Sequence, residues 1–214
     1  MAESDFQMYQ CGNADCRFRF ANNLSVRTLT KCPLCGGHLE PSGLPFSNAR
    51  LQNPKKGSPP RQKVDVLLDS LRSTLNVGSI FRTADGAGVS YIHCCGTTPT
   101  PEHPKIAKTS LGAEDFLPWA YHPNALDLVL DKKQAGYTVL SIEATQTSKD
   151  IFTFKTSETN FPVLLVMGNE VSGVDPLILQ HSDEILYIPM AGRKDSLNVA
   201  VAFGIAAQAW IGSK

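Results

Sequence analysis

Two groups of residues in this chain have types and spacings suited to chemistry: a cysteine quartet near its start and three polar segments in its second half. Four residues separate Cys11 from Cys16, two separate Cys32 from Cys35, and fifteen lie between the pairs. Two short Cys loops at this distance form two knuckles able to close a tetrahedron of thiolates on one Zn²⁺. Gly36 and Gly37 supply the positive backbone torsions that a tight knuckle needs. A metal would also explain how a piece of about 40 residues folds, since so short a segment buries too little apolar surface alone. Four thiolates leave no coordination position open, so the expected role is structural; iron, or thiols without metal, are the alternatives. His38 is a spare ligand, expected on the surface. Cys94 and Cys95 are adjacent on an expected strand, so they face opposite sides of a sheet and read as small buried hydrophobes.

The first polar segment is Asn76-Val-Gly-Ser-Ile-Phe-Arg82. Asn76 precedes an expected helix, where it would serve as the N-cap. Arg82 is expected near the same face. A guanidinium there can clamp a phosphate through two parallel hydrogen bonds, or pair with Asp85 on the surface. The second segment, Gly168-Asn-Glu-Val-Ser-Gly173, follows the apolar run VLLVM. Gly168 lets the chain turn at a strand end and Gly173 lets the loop fold back. Between them Glu170 can accept backbone N–H bonds and brace the loop, or hold a cation. The third is Ile188-Pro-Met-Ala-Gly-Arg-Lys-Asp-Ser-Leu-Asn-Val199. Pro189 stops a sheet ladder. Ser196 and Asn198, two apart, point the same way in an extended segment and can hold a ribose or phosphate, or cap the helix that follows.

These segments need elements to position them. From Val64 onward, short apolar runs alternate with helical stretches. Strands are expected at Val64–Leu68, Tyr91–Cys95, Thr138–Glu143, Val163–Met167 and Glu184–Ile188, and helices near Val77–Ala87, Asn124–Gln134, Asp175–Leu179 and Val199–Ile211. Such alternation predicts an α/β fold with a mainly parallel sheet covered on both faces, and each polar segment then sits at a strand mouth. The last helix is small or apolar nearly all round, which predicts burial on both sides, the second against another subunit. The segment from Phe18 to Leu29 reads as a short hairpin or two strands. Residues 41–62 are rich in proline and read as a linker between a small domain, 1–40, and a larger one, 63–214. Scattered histidines (His93, His103, His122, His181) read as surface or capping residues. Glycine patterns for dinucleotides and P-loops are absent, as is a nucleophile elbow.

Composition sets the outer bounds. The 214 residues carry no formal net charge and are 42% hydrophobic, which suits a globular protein. Residues 1–63 hold 9 Lys+Arg against 4 Asp+Glu, and the remainder 11 against 16. A basic small domain beside an acidic larger one suggests contact with a polyanion, or is a modest excess arising by chance. The start of the chain shows no signal pattern, and the longest apolar stretch, nine residues from Val199 to Ala207, is too short to span a bilayer. A cytoplasmic protein with no membrane partner is expected, its cysteines metal ligands or buried thiols.

Order and spacing of the three segments, with Thr109-Ser-Leu-Gly-Ala113 between the first two, resemble the motifs of the SpoU (TrmH) family of RNA 2′-O-ribose methyltransferases over about residues 64–214. The resemblance implies the SPOUT fold, with a carboxyl-terminal trefoil knot, and activity as a homodimer on RNA (tRNA or rRNA). It implies S-adenosylmethionine held by Met167, Gly168, Asn169, Gly173, Ile188, Met190, Ser196, Leu197 and Val199. The functional positions carried over are Asn76, Arg82, Glu170, Ser196 and Asn198. Many family members carry an amino-terminal extension of another kind, so the ribbon leaves substrate choice open. The competing reading is a non-catalytic zinc-ribbon RNA-binding protein with a methyltransferase-like dimerisation domain.

Overall fold

Runs of Val, Ile and Leu dictate where the main sheet forms. The computed structural model describes residues 5–26, 29–47, 63–154 and 162–210. The chain divides into two compact units, Met1–Ser58 and Pro59–Lys214.

In the first unit, β1 (Asp5–Cys11) is the central strand. It pairs antiparallel with β2 (Arg19–Asn23) on one edge and with β3 (Leu39–Pro41) and then β4 (Phe46–Ser47) on the other. Cys11 ends β1, so the first knuckle is itself the turn into β2. The hairpin expected within 18–29 is therefore not what forms among the described residues: one strand lies there, and its partner precedes the knuckle. Residues read as the start of the linker add β4, and the side chain of buried Gln7 donates to the Ser42 and Gly43 carbonyls at 3.3 and 3.1 Å to hold the intervening turn. Residues 48–62 of the expected linker lie outside the described residues. Cys11, Cys32 and Leu39 make a minimal buried core, with Tyr9, Phe20 and Leu29 packed on it.

The second unit is a seven-stranded sheet: β5 (Val64–Asp69), β6 (Tyr91–Cys95), β7 (Trp119–His122), β8 (Thr138–Ile142), β9 (Lys149–Asp150), β10 (Val163–Met167) and β11 (Glu184–Tyr187). Their order is β7-β6-β5-β10-β8-β11-β9, and every pairing is parallel. Parallel strands covered on both faces carry continuous apolar runs, and β10, VLLVM, is buried throughout. Helices α1 (Thr74–Ala87), α2 (Ala107–Ser110), α3 (Ala125–Gln134), α4 (Pro176–His181) and α5 (Val199–Trp210) complete the unit. Val66, Leu68 and Leu165 pack in one core with Phe81 of α1 and Phe203 of α5. Leu67, Leu164 and Val166, of opposite parity, pack in a second core with Val129 of α3 and Ile178 of α4. Cys94 and Cys95 fall in different cores, on the two faces expected of neighbours in a strand.

Three differences from the sequence reading have physical causes. Helix α1 begins three residues early because Ser73, not Asn76, caps it: the Ser73 hydroxyl accepts the Asn76 N–H at 3.3 Å, placing Asn76 in the first turn. Helix α5 buries Phe203, Ala206 and Ala207, but Val201 is 52% exposed, so its second side stays open in the protomer. His93 is buried, not superficial: its Nδ1 lies 2.9 Å from His122 Nε2, and its Nε2 lies 3.7 Å from Asp65 Oδ2. Asp65 in turn accepts from Lys132 Nζ at 2.7 Å. No helix among the described residues is long and apolar enough to cross a membrane.

Candidate active site

Glu170 ties two strand ends together. It lies on the loop leaving β10, and the segment it grips leaves the neighbouring strand β5. Its carboxylate accepts from the Arg72 N–H at 2.9 Å, the Ser73 N–H at 3.2 Å and Asn76 Nδ2 at 2.9 Å. A carboxylate before a helix start also meets the positive end of the helix dipole. Burial pushes this carboxyl up, but the bonds from Asn76, Arg72 and Ser73 outweigh it and hold Glu170 below the ordinary glutamate range. Of the two roles open to Glu170, bracing is the one its oxygens perform here. Asn76 passes the connection on: its Oδ1 accepts from Asn198 Nδ2 at 3.0 Å. The Asn198 Oδ1 accepts the Ala200 N–H at 2.9 Å at the start of α5, so one side chain both caps that helix and reaches the first segment.

The approach to Glu170 is shaped by backbone. Ser70, at the end of β5, takes a left-handed φ of 53°, and its carbonyl accepts from Asn169 Nδ2 at 2.5 Å. The Asn169 Oδ1 accepts from the Val171 and Ser172 N–H groups, and Asn169 and Gly173 exchange backbone bonds at 3.0 Å each. A Cβ on Gly168 would collide with the backbone of Gly173 and Val174, so only glycine allows so tight a loop. Glu143, just beyond β8, closes the far side: its Oε2 accepts the Val174 N–H at 2.9 Å and stands 2.5 Å from where a Gly173 Cβ would be.

Two cavities open at these strand ends. The first, about 490 Å³, is lined by Arg72, Ser73, Asn76 and Asn198 together with Glu170, Leu197 and Val199. The second, about 470 Å³, is lined by all nine residues named above for the methyl donor, and shares Glu170, Leu197 and Val199 with the first. The carried-over functional residues divide between them. Asn76, Glu170 and Asn198 meet at the first cavity, whereas Ser196 lines only the second, so Ser196 and Asn198 serve different cavities. Arg82 lines neither. It is exposed, forms no ion pair with Asp85, and six helical residues turn through about 600°, leaving it about 120° from Asn76 rather than on the same face. Sequence reading missed Arg72, hidden by a helix start placed too late, and Glu143, taken for the end of a strand.

In the smaller unit the four cysteines converge. Their Sγ atoms all lie within 4.8 Å of one another, with Cys11 to Cys35 at 3.5 Å and Cys16 to Cys32 at 3.9 Å. A tetrahedron with Zn–S bonds of about 2.3 Å has edges of about 3.8 Å, so the donor set fits that ion. Burial raises the Cys32 thiol, but the Cys35 and Leu34 N–H groups pointed at its sulfur outweigh this and bring it to about 7. Cys11 moves the other way: the Asn13 N–H lowers it, but burial and the Cys35, Cys32 and Cys16 thiols outweigh this and raise it to about 12, so Cys32 gives up its proton well before Cys11.

A parallel sheet with a crevice at the carboxyl ends of its strands defines an α/β protein of the kind that binds a nucleotide-like cofactor. Comparison with known proteins narrows the class. The model of the SpoU rRNA Methylase family matches residues 63–208, and the chain belongs to that family. A putative TrmH family tRNA/rRNA methyltransferase of Bacillus subtilis is 33% identical over 145 residues, 65% of this chain and 55% of the relative. The tRNA (guanosine(18)-2′-O)-methyltransferase of Aquifex aeolicus is 33% identical over 150 residues, 68% of this chain and 67% of its own. An AdoMet-bound rRNA methyltransferase structure from Sinorhizobium meliloti superimposes with a TM-score of 0.64 at 33% identity, covering 71% of this chain and 57% of that one. The chain thus spans little more than half the length of the first and third of these.

Proposed function

We propose that this protein transfers a methyl group from S-adenosylmethionine to a ribose 2′-hydroxyl of RNA, either tRNA or rRNA. The observation that carries this reading is the pair of cavities with a common wall of Glu170, Leu197 and Val199. Donor and acceptor seated in two cavities that adjoin at these residues meet the demand for alignment, worth up to about 7–11 kcal/mol in well-oriented reactions. The second cavity suits an S-adenosylmethionine-sized ligand, with Gly168, Gly173, Ile188, Met190 and Ser196 about it. When bound, that donor supplies a methyl already activated by its sulfonium.

The chain's own residues then have separate tasks. Asn76 and Asn198, locked through Glu170, orient the sugar. Arg72, the one cation lining the first cavity among the described residues, faces the phosphate. Arg82 enters from the second protomer of a homodimer. A guanidinium keeps its proton, so Arg82 stabilises charge developing on the 2′-oxygen while phosphate or water takes the proton. Two facts support the dimer: Arg82 stands outside both cavities of its own protomer, and the Val201 side of α5 is uncovered. Residues 63–214 form the catalytic body, with the trefoil knot that family membership implies. The amino-terminal unit holds a structural Zn²⁺ on Cys11, Cys16, Cys32 and Cys35. A cytoplasmic location follows from the RNA substrate and from thiolate ligands that must stay reduced.

Calorimetry with S-adenosylmethionine, followed by mapping of 2′-O-methyl positions in cellular RNA with and without the gene, tests the assignment. Donor binding and at least one site lost with the gene are expected. Absence of donor binding would leave the non-catalytic RNA-binding reading.

A further inference from the structure

Among the described residues, the charged side chains around the second cavity are all acidic: Glu143, Glu170 and Asp195 line it, and no lysine or arginine does. Their situations differ. Glu170 spends its oxygens on three N–H donors. Asp195 is exposed, where solvent screens it. Glu143 is half-buried and fixed: Oε2 accepts the Val174 N–H at 2.9 Å and Oε1 the Ala144 N–H at 3.2 Å. A carboxylate has about four acceptor positions, so these bonds leave part of it free toward the cavity it lines. Glu143 is therefore the carboxylate whose charge that cavity feels most.

The reaction proposed above changes the charge of the ligand in this cavity. The sulfur–methyl bond breaks with its electron pair left on sulfur, a bond forms from the methyl carbon to the 2′-oxygen, and the hydroxyl proton passes to solvent. A sulfonium cation becomes a neutral thioether. We propose that Glu143 is a specificity-determining residue that makes the cavity prefer the cationic donor to its neutral product, so that product leaves and fresh donor enters. The inference rests on the methyl-transfer reading. It assigns to Glu143 a task beyond bracing Val174, since a brace alone would hold donor and product equally.

Glu143→Gln separates the two tasks. The amide oxygen can still accept the Val174 N–H, the Ala144 N–H at the exposed end turns to solvent, and the charge is gone. Calorimetry on wild type and variant would use three ligands: S-adenosylmethionine, S-adenosylhomocysteine, and the amine analogue that carries a protonated amine where the donor has its sulfonium. Loss of one charge contact at a half-buried site is expected to weaken both cations about tenfold, with the thioether held within about twofold. An equal loss for all three ligands would make Glu143 a brace only and overturn the proposal, as would no loss. Wild type alone bears on the claim if the variant does not fold: product bound as tightly as donor would rule out charge selection. Failure of wild type to bind either ligand would instead sink the methyl-transfer reading itself, and this inference with it.

Discussion

Glu170 shows how little of a side chain's task lies in its type. Its oxygens are occupied by Arg72, Ser73 and Asn76, so it braces the wall of the first cavity. Asn76, Glu170 and Asn198 were legible because each sits in a short segment with a strand before it. Their mutual contact was not, since the segments lie 94 and 122 residues apart: Glu170 meets Asn76 because β5 and β10 pair, and Asn198 meets it because α5 packs on α1. Two arginines then separate in their effects. Arg82→Ala should abolish transfer to RNA while calorimetric affinity for S-adenosylmethionine stays unchanged. Arg72→Ala should raise the KM for RNA about tenfold or more with kcat little altered, as expected when one charge-assisted phosphate contact is lost. Retained transfer in the first variant, or an unmoved KM in the second, would remove that residue from its role.

At the scale of elements, β10 could be read to the residue because a buried parallel strand is an uninterrupted apolar run, and β6 was legible although His93 interrupts its run. Strand β7 escaped notice because WAYH is mostly half-exposed and alternates nothing, and β9 because two residues carry no pattern. The crossing of α1 and α2 was likewise unreadable. A Cβ on Gly78 would strike Thr109 Oγ1 and come within 2.6 Å of the Ile106 carbonyl oxygen, so the helices touch through backbone. Thr109 Oγ1 also donates to the Leu75 carbonyl, next to Asn76. Gly78→Ala should therefore cost roughly 1–3 kcal/mol, the usual range for overpacking, read by urea denaturation. It should also lower activity by shifting Asn76. Wild-type stability in the variant would mean that α2 moves aside freely.

Across the whole molecule, the two cores were foreseeable from apolar parity, but the polar cluster of buried Asp65 and His93 with half-buried His122 and Lys132 was not. Those four residues come from β5, β6, β7 and α3, and only the folded sheet brings them together. Burial would push the Asp65 carboxyl up, but His93, Lys132 and Tyr137 outweigh this and bring it to about 2. A folded value below the unfolded one, about 3.9, means a contribution fully present above that pH and lost as the pH falls toward 2. Urea titrations at successive acid pH values should show that loss in wild type. Lys132→Met should cost roughly 3–5 kcal/mol at neutral pH, because it leaves the buried Asp65 charge without its closest partner. A neutral effect would show that the cluster adds nothing to stability. Chelation should unfold the amino-terminal unit, seen as loss of its amide dispersion by NMR, while donor binding persists in the larger unit.

The central claim is that a donor methyl and a ribose hydroxyl meet where the two cavities adjoin, beside Glu170, Leu197 and Val199. Its most direct test is incubation of the protein with methyl-labelled S-adenosylmethionine and RNA from cells lacking the gene, followed by alkaline hydrolysis. A 2′-O-methyl group blocks alkaline cleavage at its own nucleotide, so the account predicts label in alkali-resistant dinucleotides. Label confined to alkali-sensitive mononucleotides, or none in RNA at all, would contradict it.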